Sequence, residues 1–275
     1  MGWEGRLEET LAEIRKRSDL SPFIGVILGT GLSHFGENLD QLTELSYSDL
    51  PHFPSTLVPG HPGRLLIGKW KGREVAVFQG RFHYYEGYSS LEVTYPVWVM
   101  KGMGVRSIVV TTAAGGVSSV FDVGDLMLIK DHINLMGVNP LLEIPFKKRE
   151  PQFLDLSHPY TRELLQEGKR LGKRLNIPCK TGVLGAVRGP CYETPAETKS
   201  LKRLGIDAVC MSTVPEVIVA NYLGFKVLGI AMISNIASGV THHRISHEEI
   251  LAVMESRKET LAAFIEEVCR HPGLF

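Results

Sequence analysis

The sequence lacks the features that mark membrane, secreted and nucleic-acid-binding proteins. No apolar run approaches the length that spans a bilayer, and the opening residues, MGWEGR, contain no apolar stretch typical of a secretion signal. The 30 basic and 30 acidic side chains balance to zero formal charge, whereas binding to nucleic acids or membrane surfaces normally needs a basic excess. We therefore expect a cytoplasmic protein with no nucleic-acid or membrane partner.

Cysteine is also scarce, and the four cysteines form no CxxC pair: Cys179, Cys191, Cys210 and Cys269. This spacing does not favour a disulfide framework in a chain without a secretion signal. Neither an HExxH pattern nor an EF-hand loop occurs, and the adjacent side chains of His242 and His243 point in different directions in any regular structure. The sequence predicts free thiols and no metal site.

No Pro/Ser-rich or charged linker divides the 275 residues, of which 44% are hydrophobic. This predicts a single domain over residues 1–275. Short apolar runs alternate with amphipathic stretches, while residues 42–47 make a poor strand. The pattern predicts an α/β fold with a mixed, partly parallel central sheet flanked by helices. The predicted strands are 23–28, 64–68, 73–78, 107–112, 126–129, 180–186, 207–211 and 225–233, and the predicted helices are 4–16, 91–103, 160–175, 195–204 and a last one opened by a capping box at 246–249.

The most informative stretch is QGRFHYYEGY, residues 79–88, which follows a predicted buried strand. Arg81, His83 and Tyr85 lie two apart, so in an extended segment they face the same side. A guanidinium fork beside an imidazole suits an oxyanion such as phosphate, and a tyrosine ring with its hydroxyl suits a sugar. An ordinary solvated loop is the alternative at this point.

Two predicted strands run into loops of small residues. GTG at residues 29–31 follows the first strand, and AAGG at residues 113–116 follows the strand 107–112. Glycine turns expose backbone N–H groups that can bind an anion, and Thr30 adds a hydroxyl; a tight turn without a ligand is the plainer interpretation. A dinucleotide fingerprint would need a third glycine where His34 stands. His61, in the loop VPGH, is predicted to lie near the chemistry but not in it.

Later loops supply groups that could read a heterocycle. Tyr192 and Glu193 place a flat ring beside a carboxylate, although Glu193 could instead be an acid that stabilises the start of the next helix. Ser212 could bind an anion or cap a helix, and capping is the plainer interpretation from the sequence alone. Asn235 ends a long apolar strand and carries both a donor and an acceptor.

Three further features stay open from the residues alone. His247, in the first turn of the last helix, could simply be a surface residue. Phe153 is an isolated aromatic in an irregular, proline-containing segment, which suits either a packing anchor or an interface residue. Residues 236–246 are polar and loop-like, which suits a mobile lid.

Taken together, these loops resemble the trimeric, low-molecular-mass purine nucleoside phosphorylases over nearly the whole chain. The motifs that carry the resemblance are GTG from Gly29, VPGH ending at His61, GRFHYYEGY from Gly80, TTAAGG from Thr111, GPCYET from Gly189, MSTVPE from Met211, and the Asn235 and His247 positions.

The resemblance implies a role for each matched residue. Phosphate would be held by Thr30, Arg81, His83, the Ala113 backbone N–H and Ser212. The nucleoside would contact Tyr85, Thr112, Tyr192, Glu193, Met211, Asn235 and His247, with His83, Glu193 and Asn235 as the catalytic set. Phe153 would reach into a neighbouring subunit's site, which implies a homotrimer.

Three positions depart from the common pattern of that family. Thr112 stands where many members have Asn, Tyr192 where many have Phe, and Tyr84 where Met is frequent. The methylthioadenosine phosphorylase branch also has Thr at the position of Thr112. That adenine-reading branch carries Asp at the position of Asn235, so Asn235 argues against membership of that branch.

The resemblance implies reversible phosphorolysis of 6-oxopurine nucleosides such as inosine and guanosine, with phosphate as co-substrate and no cofactor or metal. A methylthioadenosine-type phosphorylase of the same fold is the first alternative. A non-catalytic purine-binding protein is the second, but it would have no use for Arg81, His83 and Ser212. A dinucleotide oxidoreductase is the third and is disfavoured by the missing glycine.

Overall fold

A nine-stranded mixed sheet forms the centre of the structure. The computed structural model describes residues 2–32, 35–58, 61–144, 153–240 and 245–271. The strands are β1 Ile24–Leu28, β2 Asp40–Ser46, β3 Arg64–Trp70, β4 Arg73–Gln79, β5 Ser107–Gly116, β6 Leu126–Asn134, β7 Cys179–Ala186, β8 Ala208–Cys210 and β9 Lys226–Ile236. The helices are α1 Trp3–Arg17, α2 Ser90–Val93, α3 Tyr95–Gly102, α4 Arg162–Arg174, α5 Pro195–Arg203, α6 Val214–Tyr222 and α7 His247–Arg270.

Part of this sheet closes on itself. The strands follow the order β2-β3-β4-β1-β5-β8-β7-β6-β9, and β9 also pairs with β5, so that β5, β8, β7, β6 and β9 form a ring. The pairs β1–β4, β1–β5, β5–β9, β6–β7 and β7–β8 are parallel, and β2–β3, β3–β4, β5–β8 and β6–β9 are antiparallel. The predicted α/β class with a mixed, partly parallel sheet is confirmed.

The strand register brings the chemically interesting loops together. β1 pairs in parallel with both β4 and β5, and Leu28 lies opposite Gln79. The chain after Leu28 therefore emerges beside the chain after Gln79, which places Thr30 near Arg81. On the other side of β5, Gly115 lies opposite Asn235. The carboxyl ends of parallel strands thus collect polar side chains at one edge, as in other α/β proteins.

The predicted glycine turn after residue 112 is wrong, because β5 continues through residues 113–116. These residues pair with β9 over their whole length, and the last two also pair with β8. Pairing on both sides outweighs the low strand preference of glycine. A Cβ on Gly115 would lie 3.2 Å from Asn235 Nδ2, so the glycine there permits a close approach of the two strands.

Two further sequence predictions need correction. Residues 42–47 were expected to make a poor strand, yet β2 pairs with β3 as an exposed edge strand, in which apolar alternation is not required. The predicted helix 91–103 is two helices, because the chain leaves helical geometry at Thr94. Pro96 is the second residue of the second helix, and its ring removes the backbone donor that a continuous helix would need.

A cluster of buried apolar residues includes members from Leu11 in α1 to Cys269 in α7. The four thiols are unpaired; Cys210 and Cys269 are buried and Cys191 is exposed. Across the described ranges, no helix is both long enough and apolar enough to cross a bilayer.

Candidate active site

One cavity at the carboxyl edge of the sheet is lined by all the residues that the resemblance assigned to substrate binding within one subunit. They are Thr30, Arg81, His83, Tyr85, Thr112, Ala113, Tyr192, Glu193, Met211, Ser212, Asn235 and His247. Phe153 does not join them; its side chain is 95% exposed. The structure thus brings these residues together, while their individual roles stay predictions.

Arg81 is the best-fixed side chain of the cavity wall. Its Nη1 donates to the Thr111 carbonyl at 2.6 Å and to Ser212 Oγ at 3.2 Å. Its Nε donates to Glu216 Oε1 at 3.3 Å, and its Nη2 lies 3.1 Å from Glu216 Oε2. Both charged side chains are only 1% exposed. A buried guanidinium requires a counter-ion, and Glu216 supplies it.

Glu216 is a residue for which the sequence predicted no role. The residue lies in α6 among apolar side chains, and seven of the nine residues of this helix are buried. A single carboxylate in an otherwise apolar segment, VPEVIVA, was the available signal, because buried acids are rare unless they are paired. Its partner Arg81 lies 135 positions earlier, so no local pattern could connect them.

Ser212 faces the cavity and does not cap α6. The helix begins at Val214 with Thr213 as its N-cap, and no side-chain cap bond forms. Ser212 Oγ instead bonds Arg81 and lies 3.1 Å from Thr112 Oγ1. Thr213 has φ 68° and ψ −52°, and the Val214 N–H donates to the Ser212 carbonyl at 2.7 Å. This is the strained form of the γ-turn, which is rare for a β-branched residue.

His83 has one ring nitrogen committed to an acid. Its Nδ1 lies 2.7 Å from Glu86 Oε1, and the same oxygen accepts the His83 backbone N–H. Since an ionised carboxylate can only accept, the proton of this bond lies on Nδ1 and leaves Nε2 available to a ligand. Burial lowers the pKa of His83, and the bond to Glu86 opposes that shift. The Tyr85 ring stacks on the His83 ring, with 4.6 Å between the two ring centroids.

His61 lines the cavity, so it lies near the candidate chemistry as predicted, and its exclusion from that chemistry stays a prediction. The ring is 8% exposed. Its Nδ1 accepts the Arg81 backbone N–H at 3.0 Å, and its Nε2 lies 3.2 Å from Thr30 Oγ1. The sequence placed His61 in a turn-rich loop, and nothing local indicated that this loop folds back onto residues 79–81.

Glu193 is free of any helix-capping role. α5 begins at Pro195, and its N-terminus is closed by a capping box between Thr194 and Glu197. Glu193 precedes that box and lines the cavity, where burial raises the pKa of its carboxyl. Tyr192 lies beside it as a half-exposed ring. A desolvated carboxylate next to a flat ring suits a polar, planar ligand.

Asn235 lies within β9, which pairs directly with the strand β5 that contains the small residues. Its Oδ1 accepts from Ser234 Oγ at 2.9 Å, and its Nδ2 donates to the Ile236 carbonyl at 3.3 Å. These bonds fix the amide and leave one N–H and one lone pair for a ligand. His247 lines the same cavity at the start of α7 and is exposed. Residues 241–244, including His242 and His243 and the middle of the expected lid, lie outside the described residues.

Comparison with known proteins identifies the family of this chain. The model of the phosphorylase superfamily matches residues 23–270. Purine nucleoside phosphorylase 1 of Bacillus subtilis is 47% identical over 266 residues, which cover 96% of this chain and 97% of the relative. The chain belongs to the purine nucleoside phosphorylase family. It is therefore an enzyme of the pentosyltransferase class, as the resemblance implied.

Solved structures agree with this assignment. Isoform 2 of the Schistosoma mansoni purine nucleoside phosphorylase, in complex with cytosine and ribose-1-phosphate, superposes with a TM-score of 0.92 at 37% identity and covers 100% of this chain and 98% of its own. A second S. mansoni purine nucleoside phosphorylase, 34% identical and covering 98% of this chain, has been solved with adenosine and with inosine. Its TM-scores are 0.91 and 0.90, with 98% and 97% of its own chains covered.

The Arg81–Glu216 pair predicts a specific pattern of stability. Glu216→Gln leaves a buried guanidinium without its counter-ion, so the free energy of unfolding should fall by about 3–5 kcal/mol, and Arg81→Met should have a similar effect. The double variant should lose less than the sum of the two, because no charge is then left unpaired. Urea unfolding measures all three variants.

A surface pair provides the control for this comparison. Glu8 lies 3.6 Å from Arg15 with both side chains well exposed, so Glu8→Gln should change stability by less than about 0.5 kcal/mol. Additive losses for Arg81→Met and Glu216→Gln would show that the two charges do not depend on each other.

Proposed function

We propose that the enzyme catalyses the reversible phosphorolysis of 6-oxopurine ribonucleosides and deoxyribonucleosides, chiefly inosine and guanosine. The products are the free base and ribose 1-phosphate or deoxyribose 1-phosphate. The observation that carries the proposal is the convergence of two kinds of group in one cavity. Arg81, His83 and Ser212 suit an oxyanion, and Glu193 and Asn235 suit the polar edge of a base.

Cleavage of the glycosidic bond builds positive charge on the sugar and negative charge on the departing base. Phosphate stabilises the sugar cation and then attacks its anomeric carbon. Asn235 and Glu193 stabilise the base through hydrogen bonds that strengthen as N7 gains a proton. Loss of one such bond should raise the barrier by about 3 kcal/mol, by analogy with a lost oxyanion donor.

The preference for 6-oxopurines follows from the hydrogen-bonding edge of the base. Hypoxanthine and guanine present an acceptor at position 6 and a donor at N1, whereas adenine reverses both. The Glu193 carboxylate can accept the N1–H, and adenine would leave that partly buried acceptor unpaired. Sites built to bond a polar group reject analogues that lack it by large factors.

A methylthioadenosine-type phosphorylase is the second candidate, because Thr112 matches that branch. In the structure Thr112 Oγ1 donates to the Ala113 carbonyl at 3.0 Å and lies 3.1 Å from Ser212 Oγ, so it contacts the predicted phosphate residues. Binding alone does not separate the candidates, since an S. mansoni relative has been solved with both inosine and adenosine. Turnover does.

We further propose that the enzyme is a homotrimer that needs phosphate as co-substrate and no other cofactor. Phe153 is 95% exposed, and Leu142 and Leu204 are 84% and 55% exposed. Aromatic side chains such as that of Phe153 are enriched at protein interfaces relative to the rest of the surface. Phe153 would then complete the nucleoside site of a neighbouring subunit. The cytoplasmic location stays a prediction.

The first experiment measures purine release from inosine, adenosine and methylthioadenosine, each with and without phosphate. We expect rapid, phosphate-dependent release of hypoxanthine and at least about a hundredfold lower kcat/KM for the two adenine nucleosides. A preference for methylthioadenosine would overturn the base assignment. Release that ignores phosphate would indicate a hydrolase, and binding without turnover a non-catalytic protein.

Glu193 should control how base binding depends on pH. The carboxylate accepts the N1–H only when ionised, and burial holds its pKa above the ordinary 4.5. Affinity for hypoxanthine should therefore fall with acidification, starting at a higher pH than an exposed glutamate would give. Calorimetric titration without phosphate measures this, with Glu193→Gln as the control that should bind weakly and without that dependence. Equal pH profiles for the two proteins would rule out this role.

Phe153 should affect nucleoside binding across a subunit boundary. Sedimentation equilibrium should give three times the mass of the chain. Phe153→Ala should raise KM for inosine several-fold and leave KM for phosphate unchanged, because the ring is expected to contact only the nucleoside. A monomeric mass would contradict the trimer, and an unchanged KM for inosine in a trimer would remove Phe153 from the site.

A further inference from the structure

Gln79 is a buried polar residue whose side-chain amide is bonded at both ends. It ends β4, two residues before Arg81, and is 1% exposed. Its Nε2 donates to the Phe35 carbonyl at 2.6 Å. Its Oε1 accepts from Arg64 Nε, and Arg64 lies opposite Gln79 in the antiparallel pair of β3 and β4. The amide is therefore fixed between two separate parts of the chain.

The two partners of this amide allow only one orientation. The Phe35 carbonyl can only accept, so it requires the NH2 end, and the Arg64 Nε–H can only donate, so it requires the oxygen. A glutamate at this position would have nearly the same shape and could keep the bond from Arg64. It would, however, bring a second acceptor against the Phe35 carbonyl. The position therefore distinguishes glutamine from glutamate.

Gln79 contacts both ends of the stretch that carries Thr30. Its backbone lies opposite Leu28 in the parallel pair of β1 and β4, and its side chain bonds the Phe35 carbonyl. Thr30 lies between Leu28 and Phe35 in the sequence. The chain thus leaves the sheet beside Gln79 and is bonded to the same residue again at Phe35, so one side chain closes the stretch into a loop.

The bond from Gln79 is the main polar attachment of the far end of this loop. Phe35 is buried, and its ring stacks on Trp70 with 5.8 Å between the ring centroids. Arg64 also pairs with Glu37 at 2.5 Å, but the Glu37 side chain is 43% exposed. Exposed ion pairs contribute little to stability, whereas a buried carbonyl that loses its donor is costly.

Thr30 and Arg81 both belong to the set proposed to hold phosphate, and Gln79 is bonded to the loop of the first and leads directly into the loop of the second. We propose that Gln79 is a positioning residue that holds the Thr30 loop against the start of the Arg81 loop, so that both side chains reach one phosphate. Gln79 is not among the residues that line the cavity, so it acts through them. This inference rests on the proposed phosphorolysis.

The competing explanation is that Gln79 acts through Arg81, which follows it closely in the chain. Arg81 has strong attachments of its own, since its guanidinium bonds the Thr111 carbonyl at 2.6 Å and pairs with Glu216. The two explanations differ in how they depend on Thr30. If Gln79 acts through the Thr30 loop, its contribution to phosphate binding disappears when the Thr30 hydroxyl is removed. If it acts through Arg81, that contribution persists.

Gln79→Glu tests the bond to Phe35 with almost no change of shape. It removes the donor to the Phe35 carbonyl and keeps an acceptor for Arg64. We expect KM for phosphate to rise roughly ten- to hundredfold, the range for one lost hydrogen bond to a charged ligand. KM for inosine should change by less than about threefold, because the residues proposed to contact the base lie on other strands. An unchanged KM for phosphate in a folded Gln79→Glu enzyme would overturn the proposal.

Arg64→Met is the matched control, because it removes the other bond of the same amide. The Gln79 Nε2 keeps its acceptor in this variant, so the Thr30 loop should stay closed. We expect KM for phosphate to stay within about threefold of the unaltered enzyme, even where urea unfolding shows a loss of stability. A rise in KM as large as that of Gln79→Glu would mean that general loosening, and not the bond to Phe35, affects phosphate; it would overturn the proposal.

A double-mutant cycle with Thr30→Val tests the route of the effect. Thr30→Val should raise KM for phosphate at least as much as Gln79→Glu does. The double variant should be no more than about threefold worse than Thr30→Val alone, because the amide then has no hydroxyl left to position. Fold-changes that multiply would overturn the proposal in favour of an effect through Arg81.

A measurement on the unaltered enzyme covers the case in which Gln79→Glu fails to fold. In NMR spectra with the Gln79 side-chain amide assigned, the hydrogen that bonds Phe35 should exchange slowly with solvent, because donor and acceptor are both buried. Rapid exchange of both amide hydrogens would overturn the proposal. Unaltered enzyme that shows no phosphate-dependent turnover would instead refute the proposed function, so the two failures are distinguishable.

Discussion

The buried pairing of Arg81 with Glu216 is the constraint on which the cavity depends. A guanidinium that is 1% exposed is stable only where several acceptors surround it, and these acceptors come from separate parts of the chain. Thr111 ends the apolar part of β5, Ser212 lies in the γ-turn after β8, and Glu216 lies in α6. The charge therefore fixes the relative positions of three elements before any ligand arrives. Because Glu216 pairs with Arg81, the guanidinium adds little net charge to the cavity wall.

The topology of the sheet explains why these elements meet. β1, β4, β5 and β9 run parallel, so the loops after β1 and β4 emerge on one edge. The ring closed by the β5–β9 pair brings Asn235 against the glycines of β5, and the absence of side chains there leaves room between the strands. One sheet thus supplies both the predicted phosphate residues and the predicted base residues.

The sequence was sufficient where the chemistry is local. The spacing of Arg81, His83 and Tyr85 and the polar ends of apolar strands identified residues that line one cavity. The sequence was insufficient where contacts between distant parts of the chain determine the structure. Residues 113–116 looked like a turn until β9 and β8 paired with them, and the function of Glu216 depends on a partner far away in the chain. The two bonds of His61 could not be predicted for the same reason, because they reach a backbone N–H and a hydroxyl outside its own loop.

The 135-residue separation of Arg81 and Glu216 also bears on how the protein is made. β1, β4 and β5 are synthesised well before α6 and β9. The Arg81 guanidinium therefore has no counter-ion until Glu216 has been synthesised. A partly synthesised chain that packed its core at this stage would bury an unpaired charge, which is strongly unfavourable. Long-range contacts of this kind also slow folding, because the intervening chain must close a large loop first. The part of the cavity wall that contains Arg81 is therefore completed only after most of the chain has left the ribosome.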